Sequence, residues 1–438
     1  MSTASTPETF GSDPRPSLPT LSGVLSEFQG FDPRAVPVET AREAIARFLQ
    51  PIDCIEQVAL RASFGRILAR DLLSPIDVPA HDNSAMDGWA LRHADLAPTG
   101  ESRLLIAGEA FAGKPHQGTP AAGQAIRIMT GAVMPEGCDT VVPQEQTRTE
   151  ADAVLIPPGQ LAGQHRRLQG EDLARGRPAL HSGRCISAAD LGLIASLGLA
   201  EVPVQRRLRV AFFSTGDELR SIGEPLDAGC VYDSNRYTLW GMLTALGVEL
   251  IDMGVVPDSR EALEKAMRSA SRHADAVISS GGVSVGEADF TREVMNQLGE
   301  VAFWTIAMRP GRPMAFGRVG SAAYFGLPGN PVAVMITFLF FVRDALIRMS
   351  GAAPRPILPI KVKSAQALRK RSGRTEYQRA VVSQMPDGEW QARITGSQGS
   401  GVLRSMSEAN ALIVLEHDRD DIRQGEFVTA LPFAGLLT

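Results

Sequence analysis

The chain is poor in the residues that bind structural metals or form disulfide frameworks. Only four cysteines occur in 438 residues, and none of them forms a C-x-x-C pair. The seven histidines show no ligand-like spacing to the cysteines or to one another. This pattern argues against a structural zinc site and against a disulfide framework, and it suits a reducing compartment. We therefore expect a cytoplasmic protein.

An excess of positive charge is also missing. The chain has 44 Lys and Arg against 49 Asp and Glu, which gives a formal net charge of -5. Sequence-independent binding to a phosphate backbone normally needs a basic surface. We expect no nucleic-acid partner.

No segment is long and apolar enough to predict a membrane span. The longest apolar run, residues 332–342, is about half of the roughly 20 residues that a bilayer requires. It predicts a buried helix instead. Residues 1–36 lack the basic head and apolar region of a signal peptide, and they predict a disordered leader.

What is present is typical of a multidomain α/β protein. Hydrophobic residues make up 44% of the chain, and its length suggests two to four domains at roughly 100–200 residues each. Residues 37–75 show helical spacing, and residues 76–172 combine Gly, Pro and Thr with short β-like pieces. Strands then alternate with helices over residues 206–352, which predicts a parallel, doubly wound sheet. Residues 353–438 predict a small β-barrel or sandwich.

Two loops in the alternating region are rich in glycine and carboxylates. Residues 214–218 read STGDE, and residues 279–289 read SSGGVSVGEAD. Glycines allow backbone N–H groups to approach an anion closely, and a following helix contributes its positive end. The alternative is a tight turn with a Ser or Asp cap. We predict substrate contacts from Thr215, Gly216, Gly281, Gly282 and Ser284.

The carboxylates in these loops would repel a phosphate unless a cation lay between them. Neither loop matches G-x-x-x-x-G-K-[ST] or G-x-G-x-x-G, so ordinary P-loop and dinucleotide sites are not indicated. We therefore predict that Glu218 and Asp289 hold Mg²⁺ against a phosphate.

Residues 78–91 place Asp82, Asn83, Ser84 and Asp87 in one turn-rich segment. A capped turn would explain one or two of these side chains, and function is the alternative for the others.

Two further loops carry basic residues and prolines. Arg309 and Arg312 lie in MRPGRPMAFG, where stiff prolines favour an oxyanion site over a solvated basic turn. In GLPGNP, Asn330 and Pro331 suit the N-cap and first position of a helix, which explains them structurally. An anion contact there is optional.

Several long motifs carry a family resemblance. They run in register from about residue 37 to the C-terminus and are HDNSAMDGWAL, RIMTGAVMPEGCDTVVPQE, FSTGDEL, YDSNRYTL, ISSGGVSVGEADF, MRPGRPMAFG and GLPGNPVAV. In this order they resemble the molybdopterin molybdenumtransferase family, which includes MoeA and the E domain of gephyrin.

The resemblance implies an architecture and a reaction. It implies an elongated N-terminal domain, an inserted β domain, a molybdopterin-binding α/β domain and a C-terminal β domain, at residues 37–75 with 173–205, 76–172, 206–352 and 353–438. The subunits would form a homodimer with the site between them. The enzyme would take adenylylated molybdopterin and molybdate, cleave the AMP linkage with Mg²⁺, and leave molybdenum on the dithiolene. A molybdopterin adenylyltransferase is a candidate partner.

The resemblance also assigns site residues. Asp87, Glu218, Asp258 and Asp289 fall on the functional acidic positions. Further positions near the pterin, molybdate or substrate are Thr130, Asp172, Arg309, Arg312, Pro328, Pro331, Arg379 and Ser400.

The chain departs from the family pattern at one loop. Where bacterial members often read WKLAIKPGKP, this chain has Thr305 for the first lysine and Arg309 and Arg312 for two others. Arginine keeps the charge but not the compact ammonium. This leaves an alternative open, a catalytically weakened, gephyrin-like paralogue that acts as a binding or scaffold protein. A small, single-domain adenylyltransferase fits less well because this chain carries additional domains.

Overall fold

The computed structural model describes residues 19–283 and 288–434, and of residues 288–290 only the backbone. The chain divides into two compact units. The first unit comprises Met1–Glu56, Gly65–Ile67 and Val204–Thr438, and the second comprises Gln57–Phe64 and Leu68–Pro203. The finer four-domain division remains a prediction.

A six-stranded sheet forms the centre of the second unit. Its spatial order is Thr140–Pro143, Gly88–Leu91, Gln124–Ile128, Ser102–Ala110, Ala153–Ile156 and Arg148–Glu150. Apolar residues pack on both faces of this sheet: Ile126 and Ile128 belong to one cluster, and Ala125 belongs to the other. This sheet is the mostly β domain that the Gly-, Pro- and Thr-rich sequence predicts.

The rest of the second unit consists of short elements. Strand Asn83–Ser84 pairs with Arg166–Arg167, and Leu72–Leu73 pairs with Pro178–Leu180. Helix Ala188–Ser196 begins with a capping box between Ser187 and Asp190. Short 3₁₀ turns lie at Leu60–Ser63, His93–Asp95 and Gln144–Gln146.

The first unit contains the predicted doubly wound sheet. Its spatial order is Glu249–Val256, Arg209–Thr215, Ala276–Ser280, Ala322–Leu327, Pro313–Val319 and Gly299–Thr305. Phe212 and Phe213 point to opposite faces, where each joins a different apolar cluster. Three helices contact strands of this sheet: Ser234–Ala245, Arg260–His273 and Ala288–Leu298.

The sheet is not entirely parallel. The first four strands run parallel, whereas Pro313–Val319 and Gly299–Thr305 pair antiparallel. Only residues 320–321 separate Val319 from Ala322, and a parallel crossover needs about a dozen residues. The predicted parallel sheet is therefore formed by the first four strands, and Pro313–Val319 runs antiparallel to both of its neighbours.

The apolar run at residues 332–342 is helical and buried, as its length predicts. Helix Pro331–Thr337 continues through a π-helical turn, Phe338–Val342, into helix Arg343–Met349. Within the described ranges, no helix combines the length and apolar character that a membrane crossing requires.

The chain that precedes the sheet is partly helical. Helix Leu21–Ser26 buries Leu21 and Val24, and helix Val38–Phe48 buries its apolar stripe. Thr20 caps the first helix through its side-chain oxygen. Residues 19–36 therefore differ from the expected disordered leader, and residues 1–18 lie outside the described residues.

The C-terminal region is a closed five-stranded barrel. Its ring consists of Thr375–Gln384, Trp390–Ile394, Ile360–Ser364, Phe427–Pro432 and Ala411–Leu415, and it closes where the last strand pairs with the first. Strand Met308–Arg309 adds to this sheet beside Thr375 and Glu376. Helix Arg404–Ser407 lies between two of the strands in sequence.

Candidate functional site

The two predicted glycine-rich loops meet at the carboxyl ends of neighbouring parallel strands. Thr215 ends one strand, and Gly281 and Gly282 follow the next one. Gly281 has φ +97°, and a Cβ built there would lie 2.4 Å from the carbonyl oxygen of Thr215. Only glycine permits this approach. The Gly281 N–H donates to the carbonyl of Leu327 at 3.1 Å. Gly281 therefore holds its loop against the end of strand Ala322–Leu327.

Acidic side chains gather at the same edge of the sheet. The Glu218 carboxylate folds back over Gly216, where a built Cβ would meet its Oε2 at 2.6 Å. The backbone N–H of Asp258 donates to Oδ1 of Asp217 at 3.3 Å. Burial, followed by the negative charges of Asp217 and Glu218, raises the pKa of the Asp258 carboxyl. The structure thus places Glu218 and Asp258, both predicted as site residues, near Asp217, for which the sequence predicted no role.

This acidic cluster supplies the oxygen ligands that Mg²⁺ prefers. Among the residues whose side chains are described, no group of three or more His, Cys, Asp and Glu is placed to hold a metal ion. Mg²⁺ commonly uses one or two carboxylates together with water and substrate phosphates, so Glu218 and Asp258 fit such a site. Ser284 and the Asp289 side chain lie outside the described residues, and their predicted roles stay predictions.

Replacing Asp258 with asparagine should raise the thermal midpoint of unfolding at pH 7 by up to about 2 °C. The folded-state pKa lies above the ordinary value of 3.8. Ionisation therefore destabilises the folded state increasingly as pH rises from that value through the raised pKa. The amide removes this repulsion. Fluorescence-monitored melting with and without Mg²⁺ measures the effect, and the metal should stabilise the wild type more than the variant.

Asp418→Asn is the matched control for this change. Its carboxylate is 95% exposed, so the same substitution should leave the midpoint unchanged. A midpoint lowered by Asp258→Asn would show that the carboxylate serves the fold instead.

The N-cap and first turn of helix Ser234–Ala245 form hydrogen bonds to three of the neighbouring loops. Asp233 Oδ1 accepts hydrogen bonds from Ser214 Oγ at 3.0 Å and from the N–H of Arg236 at 3.1 Å. Asn235 Nδ2 donates to Ser280 Oγ at 2.8 Å and to the carbonyl of Gly329 at 2.7 Å. The site residues from sequence did not include Asp233 or Asn235. An acid before a helix signals a cap, but the bonds of Asn235 are tertiary and leave no local pattern.

The loop that carries Pro328 and Pro331 lies beside these residues. The carbonyl of Pro328 accepts from Ser280 Oγ at 3.4 Å. Pro331 opens the next helix behind Asn330, as predicted, although the Asn330 side chain makes no capping bond. The carbonyl of Ser400 accepts the Val332 N–H at 3.0 Å, so Ser400 lies at this helix start.

Arg379 is buried in the C-terminal barrel and only 1% exposed. Its Nε donates to Ser405 Oγ at 3.0 Å, and Nη2 donates to the carbonyls of Gly399 at 2.9 Å and Ser397 at 3.4 Å. These partners are all neutral. Burial, followed by the charge of Arg309, lowers the pKa of Arg379 to about 10.

A cavity of about 370 Å³ opens beside this guanidinium. Arg309, Arg369 and Arg379 line it, together with Gln378, Gln398 and Glu376, whose carboxylate forms an ion pair with Arg374 at 2.8 Å. Arginine clusters in partly enclosed sites suit oxyanions.

The predicted partner Arg312 is not part of this cavity lining. Its side chain is exposed, and its carbonyl accepts the N–H of Ile306 at 2.7 Å. The structure therefore brings Arg309, but not Arg312, to Arg379.

Two predicted residues meet in the second unit. Asp87 Oδ1 accepts from the N–H and from Oγ1 of Thr130, both at 2.7 Å. These bonds, the side-chain one first, lower the pKa of Asp87. Asp172 lies elsewhere, with an exposed side chain and an N–H that donates to the Val78 carbonyl at 3.1 Å.

Asp82 and Ser84 of the 78–91 segment have structural partners, whereas the buried Oδ1 of Asn83 has no hydrogen-bond partner among the described residues. Asp82 forms an ion pair with Arg166 and accepts the Gln169 N–H at 2.7 Å. Ser84 Oγ bonds the backbone of Met86. The capped-turn alternative explains Asp82 and Ser84, and it leaves Asn83 and Asp87 unexplained.

Comparison with known proteins identifies the family. Residues 36–198 match the family described as MoeA N-terminal region (domain I and II), residues 211–348 match a probable molybdopterin binding domain, and residues 361–433 match MoeA C-terminal region (domain IV). A molybdopterin molybdenumtransferase of Haemophilus influenzae is 42% identical over 384 residues, which cover 87% of this chain and 95% of that protein. The chain belongs to the molybdopterin molybdenumtransferase family.

Other relatives of the molybdenumtransferase family agree with this result. A molybdopterin molybdenumtransferase of Nostoc sp. is 38% identical and covers 86% of this chain and 88% of its own length. Gephyrin of Dictyostelium discoideum is 31% identical, covering 89% of this chain and 61% of that protein. A molybdopterin biosynthesis MoeA structure from Pyrococcus horikoshii is 28% identical, with a TM-score of 0.78 over 91% of this chain and all of that one. The family resemblance and the fold class predicted from sequence are confirmed.

Proposed function

We propose that this molybdenumtransferase inserts molybdenum into adenylylated molybdopterin, using molybdate and releasing AMP. The observation that carries the proposal is the acidic cluster of Asp217, Glu218 and Asp258 at the carboxyl ends of the parallel strands. Ligands of doubly wound sheets bind at this edge. A nucleotide phosphate bound through a divalent cation matches the excess of negative charge.

The arginine cavity is the proposed site for molybdate. Arg379 carries a buried positive charge whose described partners are neutral oxygens. Arg309 adds a second positive charge at the same cavity. A tetrahedral dianion would neutralise both charges and accept hydrogen bonds from them.

Mg²⁺ would be held by Glu218 and Asp258, with Asp289 as a further proposed ligand. Bound there, the ion would offset the charge of the AMP-linked phosphate during cleavage. Asp217 orients the Asp258 backbone through its 3.3 Å hydrogen bond. Gly281 lets its loop lie close to Thr215, which holds the two glycine-rich loops next to each other.

Asp87 is the proposed acidic residue of the second unit. Thr130 keeps its carboxyl ionised near neutral pH because both hydrogen bonds favour the charged form. A carboxylate with a lowered pKa is a weak base, so Asp87 is better suited to orienting a substrate donor than to taking its proton. Asp172 is retained as a proposed substrate contact on the basis of the family motif.

The proposed setting follows the family. We propose a cytoplasmic homodimer that receives its substrate from a molybdopterin adenylyltransferase and has no nucleic-acid partner. All four cysteines are free thiols, which suits a reducing compartment.

A scaffold function is the second candidate. Gephyrin of Dictyostelium discoideum is among the relatives, and Thr305 stands where many bacterial members have lysine. Such a paralogue would keep the fold and lose the chemistry.

Restoration of molybdoenzyme activity in a strain lacking its own insertase separates the two candidates. The insertase should restore activity, and the purified protein should release AMP from adenylylated molybdopterin when molybdate is added. A folded protein that neither restores activity nor releases AMP would support the scaffold function.

A further inference from the structure

Gln378 is a buried side chain in the wall of the arginine cavity, and the sequence motifs predicted no role for it. It lies in strand Thr375–Gln384 of the C-terminal barrel, where it pairs with Ile413. The residue is only 9% exposed, and it lines the cavity of about 370 Å³. A side chain on a paired strand is held more precisely than one on a loop.

The amide of Gln378 has no hydrogen-bond partner among the described residues. It differs from the fully enclosed unpaired atoms of the described chain, such as Asn83 Oδ1, because both of its polar atoms keep accessible surface. Buried amides are normally hydrogen-bonded, and an unpaired one destabilises the folded state. This cost indicates that the amide binds a group that enters the cavity.

The second glutamine of the cavity wall has a structural role. Gln398 Oε1 accepts the N–H of Arg379 at 2.8 Å, and Nε2 donates to the carbonyls of Thr395 at 2.6 Å and Arg379 at 3.2 Å. Both ends of this amide are therefore occupied by the barrel. Gln378 has the same side chain in the same wall, but both ends of its amide are unpaired within the described chain.

The charges around Gln378 favour an anion. Arg309 and Arg379 line the same cavity, and the acid in the wall, Glu376, is paired with Arg374 at 2.8 Å. The hydrogen bonds of Arg379 to described residues use Nε and Nη2, which leaves Nη1 available to a ligand. A tetrahedral oxyanion has several acceptor oxygens, so a neutral N–H beside the guanidiniums adds a hydrogen bond without adding charge.

We propose that the Gln378 amide donates to the oxyanion held by Arg309 and Arg379, which makes Gln378 a specificity-determining residue of the cavity. The inference rests on the proposed function and extends it to the anions that the cavity accepts. Molybdate and sulfate carry only acceptor oxygens at neutral pH, whereas phosphate also carries a hydroxyl donor. An amide N–H binds an oxygen of any of these ions, but a carboxylate in its place would accept only from a hydroxyl.

Two substitutions test this role through the molybdate concentration needed for half-maximal AMP release, with Mg²⁺ present. Gln378→Met keeps an unbranched side chain of similar length and removes the donor. It should raise the molybdate requirement about tenfold or more, the size of one hydrogen bond to a charged group, and change the maximal rate less. Gln378→Glu should raise the requirement further because its carboxylate repels a dianion.

Competing anions separate a direct contact from a general change in the barrel. Sulfate and phosphate are added separately, and in the wild type each should raise the molybdate requirement without lowering the maximal rate. In Gln378→Glu, sulfate should lose its effect, whereas phosphate should keep more of its own because its hydroxyl can donate to the carboxylate. A change in barrel structure would weaken both anions alike.

Thermal melts supply a second readout. Because Gln378→Met removes an unpaired buried amide, its melting temperature should equal or exceed that of the wild type. A residue that serves the fold would lower it. Gln391→Met is the matched control, since Gln391 lies in the neighbouring strand Trp390–Ile394 and is not part of the cavity wall. Its molybdate requirement should equal that of the wild type.

The inference would be overturned by an unchanged molybdate requirement in folded Gln378→Met, by an equal shift in Gln391→Met, or by an equal loss of sulfate and phosphate competition in Gln378→Glu. If Gln378→Glu fails to fold, the molybdate requirement and melting temperature of Gln378→Met decide the matter. AMP release by the wild type in response to molybdate would still support the proposed function in each of these cases. A wild type that releases no AMP would overturn both.

Discussion

Replacing Glu218 with glutamine should slow AMP release from adenylylated molybdopterin by about a hundredfold or more, the size typical of removing one preorganised electrostatic contact. The amide keeps the size of the side chain but loses the negative charge that would hold a cation against the phosphate. The rate is measured with molybdate and Mg²⁺ present, and excess Mg²⁺ should recover part of it.

A second measurement separates this effect from a structural one. Because the charge of Glu218 contributes to the raised pKa of Asp258, the variant should shift that pKa down toward its ordinary value, as followed by NMR titration of the carboxyl carbon. Glu261→Gln makes the same chemical change at an exposed position of helix Arg260–His273. It should alter neither the rate nor the pKa. A normal rate in folded Glu218→Gln would eliminate this carboxylate as a metal ligand.

Replacing Arg379 with lysine should raise the molybdate concentration needed for half-maximal AMP release by roughly tenfold to a hundredfold. Hydrogen bonds to charged groups contribute about 1.5–3 kcal/mol, and a lysine ammonium cannot reproduce the fork that reaches Ser405 and Gly399 together. The positive charge remains, so the maximal rate at saturating molybdate should change less than the molybdate requirement.

Arg393→Lys is the matched control because Arg393 is exposed on the same barrel. It should behave as the wild type. A lowered melting temperature is expected for Arg379→Lys because the buried bonds are lost. If the variant melts lower but keeps its molybdate requirement, Arg379 is a structural residue and the anion binds elsewhere.

Much of the fold could be predicted from the sequence because its signals are local. The helix at Arg260–His273 and the strand at Ala276–Ser280 follow from apolar spacing and from their flanking residues. The antiparallel edge of the sheet could not be predicted in this way. Strand direction at Pro313–Val319 depends on which neighbour it pairs with, and the two-residue link to Ala322 decides it.

The candidate site was predictable in part. The motifs indicated Glu218 and Asp258, which lie at neighbouring strand ends, and Arg309 and Arg379, which share a cavity. Asn235 was not predictable, because its side chain donates to the carbonyl of Gly329, which lies 94 positions away in sequence.

Composition, periodicity and motif order determined the α/β class, the β-rich segments and the family, because these properties depend on residue types at short spacings. Only the tertiary structure decided which polar and charged residues lie next to each other. It paired Asp87 with Thr130 across 43 positions and joined Asp258 to Asp217 across 41. It also separated Arg312 from the arginine cavity. Charge interactions depend on distance and burial, and chain folding sets both independently of sequence separation.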